Sequence, residues 1–307
     1  MRYIKSILLF IFIVLVSCSL QAETFHSKLM KVSADEFVFY TVTKSAQVQR
    51  YRLDGITAKP VLIETVSPTF PGEIRTERTY PNGKKETSIT YHLAGYIDGV
   101  YFFVDGNTRK ILEIRKNQKE IIERIVLKPM ILNTIHKIDS GFLLTTSISV
   151  TGNPKDPCKN KYYFKKDPTW KDSDCFGTGP DIFKDIEFPS TSVLDNGKRT
   201  VLYRQKTTEI EFFDVETGNS LQKFKIESSP EILAKLAEPS NEEFYDSKGK
   251  TYFIKHSTKN TSTVFIIDNQ KLETVCSFTE SENQAVILNG FLVYCVNGGQ
   301  FEVKKLD

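Results

Sequence analysis

The sequence has 307 residues, of which 40% are apolar, 26% charged and 12% aromatic. This is the composition of an ordinary globular protein, and it excludes the disordered, collagen-like and multi-span membrane classes. The 41 basic and 38 acidic residues give a formal charge of +3. That balance is too even for a nucleic-acid-binding surface, so no nucleic-acid partner is expected.

The N-terminal segment has the pattern of a secretory signal. Arg2 and Lys5 precede an uncharged apolar run over residues 7–16. This run is about half as long as the ~20 residues that a membrane-spanning helix needs. We therefore predict a cleaved signal peptide rather than an anchor helix.

Two cleavage sites fit this leader. The first, Leu15-Val16-Ser17-Cys18, resembles the lipobox of bacterial lipoproteins. The resemblance implies that residues 1–17 are removed and that Cys18 is acylated. The protein would then be exported and held at the cell envelope, in the periplasm or at the outer membrane, and would meet the membrane only through this lipid. The alternative is cleavage after Ala22, which removes residues 1–22 and predicts a secreted protein.

Four cysteines follow the leader: Cys158, Cys175, Cys276 and Cys295. An even number in an exported protein indicates two disulfides. Four cysteines permit three pairings, and closeness in sequence favours Cys158 with Cys175 and Cys276 with Cys295. These spacings are far wider than the close pairs of a zinc site, and the four histidines are scattered singly, so no metal site is expected.

Residues 23–307 are predicted to form one domain in which hydrophobic residues recur with a period of two, as in strands. One pattern repeats six times: an apolar strand, a short polar turn and an alternating strand. The six pairs are 37–42 with 48–53, 100–104 with 111–114, 142–144 with 162–164, 201–203 with 210–215, 252–254 with 264–267, and 291–294 with 301–303.

Several copies extend into a unit of four strands. An outer strand follows at 121–125, 221–224 and 272–276, and a further strand precedes the pair at 192–194 and 285–288. Four-stranded units every 40–60 residues are typical of a β-propeller. We predict an all-β propeller of about six four-stranded blades, with seven as the alternative. The N-terminal run from Phe25 to Val32 is assigned as the missing outer strand of the last blade.

Two segments fall outside this repeat. Ser229 and Pro230 begin a predicted short helix over 230–237, because Ser is a good N-cap and Pro suits the first helical position. The proline-rich segment 67–87 is predicted to be a surface loop between the first two blades.

The segment Asp214–Asn219, in the middle of Phe212–Phe224, resembles the strand–turn–strand of WD40-like and quinoprotein-like propeller blades. In those blades an acidic residue and a Thr-Gly turn join the two outer strands. The Trp-Asp dipeptide of WD40 blades is absent, and Trp170 is the only tryptophan. The resemblance therefore implies an architecture and no family function.

The largest departure from the repeat is an insertion at about 151–187, which Cys158 and Cys175 bracket. Long loops on a rigid scaffold often carry function, and Tyr and Trp dominate interface hot spots. We therefore predict that its aromatic residues bind a partner: Tyr162, Tyr163, Phe164 and Trp170. The alternative is a stapled loop that covers its blade, with these rings packed inward.

No catalytic motif is present: the sequence lacks the G-x-S-x-G nucleophile elbow and the phosphate-binding G-x-G-x-x-G. No catalytic residue is assigned and no cofactor is expected. We predict a non-catalytic scaffold that binds protein partners in the envelope. The alternative is an exported glycan-active hydrolase or lyase, whose signature would be several Asp and Glu side chains from different blades around one pocket.

Overall fold

A computed structural model describes residues 26–116, 122–126, 131–148, 163–167, 169–170, 172–176, 192–238, 240–257, 261–280, 284–297 and 299–306. These residues form six small antiparallel sheets, a separate hairpin and one α-helix. The sheets surround a central channel as the blades of a propeller, so the predicted all-β, six-bladed architecture is confirmed.

The strands of each blade follow one another in the chain, from the channel outward. Blades 1 to 3 contain β1 (His26–Lys31), β2 (Glu36–Val42), β3 (Ala46–Leu53) and β4 (Pro60–Val66); β7 (Tyr91–Ile97), β8 (Val100–Asp105), β9 (Lys110–Arg115) and β10 (Ile122–Val126); and β11 (Ile131–Ile138), β12 (Gly141–Ile148), β13 (Tyr163–Lys166) and β14 (Asp172–Phe176).

Blades 4 to 6 contain β15 (Val193–Leu194), β16 (Arg199–Arg204), β17 (Glu209–Asp214) and β18 (Ser220–Lys225); β19 (Ser240–Ser247), β20 (Lys250–Ser257), β21 (Thr261–Asp268) and β22 (Lys271–Thr279); and β23 (Ala285–Leu288), β24 (Phe291–Asn297) and β25 (Gln300–Lys305).

The second strand of each blade is the most apolar because neighbouring blades cover both of its faces. Nearly every residue of β2 and all of β8 are buried, as expected for a strand enclosed on both sides. Tyr40 and Phe103 meet edge to face between blades 1 and 2, with ring centroids 5.3 Å apart. A ring of such interblade cores holds the molecule together.

The assignment of the N-terminal run to the last blade is wrong. β1 is the innermost strand of blade 1, where its residues pair in register with β2 from His26 opposite Val42 to Lys31 opposite Phe37. The turn between these strands is too short to carry β1 to another blade. Among the described residues, blade 6 has three strands.

Side chains rather than a shared strand close the ring between blades 6 and 1 in the described part of the chain. Phe301 of β25 contacts Phe37, Phe39 and Tyr51, with ring centroids 5.1–5.2 Å apart. The Gln284 amide donates a hydrogen bond to Ser27 Oγ over 2.6 Å. Non-local packing therefore holds the two ends of the chain together.

Segment 67–87 is more regular than a surface loop. It holds β5 (Arg75–Thr79) and enters β6 (Lys85–Ile89), which form a two-stranded hairpin separate from the blades. Its turn contains Pro81 and Gly83, and Gly83 has a φ of +77°, a conformation that glycine adopts without strain.

The predicted helix is confirmed as α1 (Pro230–Ala237). Ser229 Oγ accepts a hydrogen bond from the Ile232 amide, and Leu236 is fully buried between blades 4 and 5. No helix in the described ranges is long and apolar enough to span a membrane.

Candidate functional site

The central channel is a cavity of about 1240 Å³. Residues of β1, β7, β11, β15 and β19 line it, together with the turns that follow these strands and Asn289 of blade 6. Its walls carry many ionisable side chains. The channel is therefore the place where groups from different blades meet.

Gly95 allows two innermost strands to lie close together around this cavity. A Cβ at this position would come within 2.7 Å of the Ile135 carbonyl oxygen, a distance that side chains do not adopt. β7 and β11 therefore pack more tightly than any larger residue at position 95 would permit.

Glu243 of β19 places a carboxylate on the inner wall of the channel. Its side chain is 42% exposed to the channel. Glu243 and Tyr245 are two residues apart and share one face of the strand, and the Tyr245 hydroxyl donates a hydrogen bond to Glu243 Oε2 over 2.5 Å. A carboxylate thus stands in the cavity, oriented by a neighbouring phenol.

His256 lies behind Glu243 in the second strand of the same blade. The register of β19 and β20 pairs Asn241 with His256, so Glu243, two residues along, faces the same side. His256 is 1% exposed, and its Nε2 is 3.7 Å from Glu243 Oε2. Its Nδ1 lies 2.5 Å from Glu280 Oε1, which also accepts a 2.5 Å hydrogen bond from the Ser262 hydroxyl.

The two carboxylates determine the charge of this imidazole. Burial alone would lower the pKa of His256, but its interactions with Glu243 and Glu280 raise it to about 9. Burial would likewise raise the pKa of Glu243, and the contacts with His256 and Tyr245 hold it below its ordinary value instead. At neutral pH the cluster therefore contains an imidazolium between two carboxylates.

Lys28 of β1 brings the opposite charge to the channel wall. Its Nζ donates hydrogen bonds to the Leu93 and Asn133 carbonyl oxygens, over 2.8 and 3.3 Å. Burial lowers the pKa of Lys28, and the Glu243 carboxylate opposes that shift. Burial and the nearby Lys28 charge lower the pKa of His136 to about 4, so this imidazole is neutral at neutral pH.

The turns after the innermost strands form one mouth of the channel, where two more carboxylates meet. Arg199 Nη2 lies 2.9 Å from Asp246 Oδ2, and its Nε contacts Asp195 Oδ2. Burial and the hydrogen bond and charge of Asp246 raise the pKa of Asp195. This mouth therefore holds one carboxyl group, that of Asp195, whose pKa a second carboxyl group helps to raise.

The structure places Trp170 against its blade rather than in the channel. Its ring stacks on Phe142 with centroids 4.6 Å apart and lies 6.0 Å from Phe102. This is the inward packing considered as the alternative for the insertion. Tyr162 lies outside the described residues, as do the side chains of Tyr163 and Phe164, whose backbone begins β13.

The expected disulfide between Cys276 and Cys295 is not formed. Tyr294 packs in the same core as Cys276, between blades 5 and 6, whereas Cys295 packs in the core between blades 6 and 1. Successive residues of a strand point to opposite faces, so the two sulfurs lie on different sides of blade 6. Cys18, Cys158 and the Cys175 side chain lie outside what the structure describes.

The channel residues were not predicted because the innermost strands share no sequence pattern. β19 contains the polar stretch Asn241-Glu242-Glu243, whereas β23 is wholly apolar and Lys28 lies between Ser27 and Leu29. The polar stretch of β19 was the available signal for Glu243, and no comparable signal marks Lys28. Within the described ranges, no group of three or more His, Cys, Asp or Glu side chains is arranged to hold a metal ion.

No protein-family model matches the chain, and no curated protein matches it significantly. Among solved structures it is similar to a complex of KlAtg21 with the coiled-coil of AgAtg16, at 11% identity over 92% of this chain and 81% of that chain, with a TM-score of 0.49. A luciferin-regenerating enzyme has 10% identity over 89% and 84% of the two chains, with a TM-score of 0.47. Hsv2 of Kluyvelomyces marxianus has 11% identity over 91% and 93%, with a TM-score of 0.46.

These likenesses are too distant to bear on function. The sheet topology of this chain establishes its fold.

Proposed function

We propose that this protein is a binding scaffold that receives an extended apolar segment of a partner protein along β4, the outermost strand of blade 1. One observation supports this. Val61, Leu62 and Ile63 of β4 are 52%, 49% and 38% exposed, and Ile56 in the preceding turn is 96% exposed. Contiguous exposed apolar residues of this kind are typical of interaction sites.

The outermost strand of blade 4 provides a contrast. In β18, Leu221 is the only large apolar residue that is exposed, and its neighbours are Ser, Gln and Lys. β4 pairs with β3 along one edge, and in the described part of the chain its other edge faces no strand. Such an edge offers backbone hydrogen bonds together with side-chain contacts, the combination used when a peptide adds a strand to a sheet.

Site-specific crosslinking tests this surface in the native host. A photo-reactive amino acid at Leu62 is expected to join the protein to a partner segment that mass spectrometry identifies, and the same group at Leu221 is the matched control. A synthetic peptide of that segment should bind the purified protein, with about tenfold or greater loss in Leu62→Lys and little change in Leu221→Lys.

Two results would contradict the proposal. Equal binding of the peptide to Leu62→Lys and wild type would exclude β4 as the docking strand. A crosslink from Leu62 to a second copy of this chain would assign the surface to self-association instead.

We also propose that the scaffold is exported and anchored to the bacterial envelope through lipid on Cys18. The charged start, the short apolar run and the lipobox-like Leu15–Cys18 support this. The test is the intact mass of the protein purified from its host, beside Cys18→Ala. A diacyl or triacyl mass that the variant loses is expected, whereas an unmodified chain beginning at Glu23 would exclude anchoring.

Glycan hydrolysis is a second candidate, and the carboxyl pair at the channel mouth favours it. General acid catalysis by a carboxyl group needs a raised pKa, and Asp195 beside Asp246 provides such a group. The test is turnover of cell-wall and capsular polysaccharides by the mature protein. Activity that Asp195→Asn abolishes would favour the enzyme over the non-catalytic scaffold.

A further inference from the structure

Among the many charged side chains of the channel, Glu243 and Lys28 carry opposite charges and do not contact each other directly. We define the acidic pole as Glu243 with Tyr245, and the basic pole as Lys28 with His136. Among the described residues, no ion pair within 4.0 Å joins Lys28 to a carboxylate. Charged groups in a protein interior are costly unless they are paired, so each pole has capacity for a further partner.

The acidic pole carries more negative charge than its own neighbours balance. Glu243 and Glu280 share one imidazolium, that of His256, while the nearby Glu242 pairs with Lys255 over 3.5 Å. His256 Nε2 is buried and has no hydrogen-bond partner, since Glu243 Oε2 at 3.7 Å is beyond hydrogen-bond distance. Among the described residues, His256 is therefore the one cation within 4.0 Å of Glu243, with Lys28 acting from further away, and Glu243 presents its carboxylate to the cavity.

The basic pole is a single ammonium group. Lys28 Nζ donates to two backbone carbonyls, which are neutral acceptors, and the Glu243 carboxylate acts on its charge only from a distance. Burial lowers the pKa of His136 to about 4, so the imidazole adds no charge near pH 7. Lys28 itself lines the cavity.

We propose that the channel binds a zwitterionic ligand, a free amino acid or short peptide, with its ammonium group at Glu243 and its carboxylate at Lys28. A simple organic cation would be attracted by the Glu243 carboxylate but repelled by the Lys28 ammonium. A simple anion would be attracted by Lys28 but repelled by Glu243. A ligand with both charges forms a charge-assisted hydrogen bond at each pole. The cavity of about 1240 Å³ has room for several residues of a peptide.

This inference does not depend on docking at β4 or on the lipid at Cys18, because it uses only residues of the channel. Loss of partner binding in Leu62→Lys leaves it unaffected, and its failure leaves the scaffold proposal in place.

Calorimetric titration of the full mature chain with three matched peptides tests the proposal: trialanine, N-acetyl-trialanine and trialanine amide. Trialanine is expected to bind, and removal of either terminal charge should weaken binding about tenfold or more, the loss of one charge-assisted interaction. Because this comparison uses the wild-type protein, it stays decisive even if a channel variant fails to fold.

Variants assign each terminal charge to its pole. Glu243→Gln should bind trialanine more weakly than the wild type does. It should bind trialanine and N-acetyl-trialanine about equally, since the contact with the ligand ammonium is already lost. Lys28→Met should likewise bind trialanine more weakly than the wild type does, and should bind trialanine and trialanine amide about equally. Lys223→Gln, on the exposed outermost strand of blade 4, is the matched control and should bind like wild type.

Three results would overturn the proposal. They are no binding of trialanine at millimolar concentration, equal affinity of the wild type for all three peptides, and unchanged trialanine affinity in both pole variants.

Discussion

His256 is the residue at which burial and charge oppose each other most directly. A solvent-free environment favours the neutral imidazole, yet Glu280 at 2.5 Å and Glu243 at 3.7 Å favour the charged one. Removing one partner from such a buried group leaves an uncompensated charge. The cost of that charge exceeds the stabilisation that the intact group provides. The cluster therefore makes blade 5 sensitive to pH.

We predict that the free energy of unfolding decreases between about pH 6.5 and pH 9. The pKa of His256 is about 9 in the folded protein, above the 6.5 of an unfolded chain. Its contribution is thus complete below about pH 6.5 and is lost as pH rises through about 9. Urea denaturation across this range measures the effect, and His256→Gln should remove the pH dependence assigned to this residue.

The same variant should destabilise the protein by roughly 3–5 kcal/mol at neutral pH, because Glu280 remains buried without its counter-charge. If His256→Gln does not fold, Ser262→Ala provides a milder change, since it removes only the second hydrogen bond to Glu280. If the difference in free energy of unfolding between wild type and His256→Gln does not change with pH, the assigned protonation of His256 is contradicted.

At the scale of the element, one aspartate turn recurs in three blades. Asp54, Asp105 and Asp214 each accept hydrogen bonds from the backbone amides two and three residues later, over 2.6–3.1 Å. The turn after Asp214 is the one whose sequence resembles known propeller blades. The side chain satisfies amides that the turn leaves without backbone partners, which explains the recurrence of an aspartate followed three residues later by a threonine.

We predict that Asp214→Ala lowers the free energy of unfolding by about 1–2 kcal/mol, the net loss of these hydrogen bonds. Asp214→Asn should cost less, because an amide oxygen can still accept. Asp268 is the matched control: it ends the corresponding strand of blade 5 but forms no such turn. Chemical denaturation of the three variants decides the point, and an equal loss in Asp268→Ala would refute this role for the turn.

At the scale of the whole molecule, packing between the first and last blades closes the ring. Phe301 inserts among three aromatic rings of blade 1, and a side-chain hydrogen bond links Gln284 to Ser27. Aromatic pairs in edge-to-face geometry stabilise beyond their buried area. This junction joins residues 250–264 positions apart in the chain, so its loss should separate the ends before the other blades open.

We predict that Phe301→Ala destabilises the protein by about 3 kcal/mol and accelerates amide hydrogen exchange in β1 and β25. Phe278→Ala, which removes a comparable ring between blades 5 and 6, should cost a similar amount without faster exchange in β1. Hydrogen-exchange mass spectrometry distinguishes the two variants. Exchange in β1 of Phe301→Ala as slow as in the wild type would show that closure does not depend on this ring.

The local sequence was sufficient for the apolar second strands and the helix. The apolar second strands can be recognised from their composition, because a strand covered on both faces needs apolar residues throughout, as in β2 and β8. Ser229 and Pro230 similarly predicted where α1 begins, since capping and a fixed φ act within one turn.

The placement of β1 and the contents of the channel depended on the tertiary structure. His26–Lys31 reads as a strand in either blade 1 or blade 6, and only its pairing with β2 decides between them. Lys28 and Glu243 are 215 positions apart in the sequence, and nothing local indicates that they line one cavity. Strand periodicity is a short-range property of the chain, whereas the approach of opposite charges across a channel arises only when all six blades close into a ring.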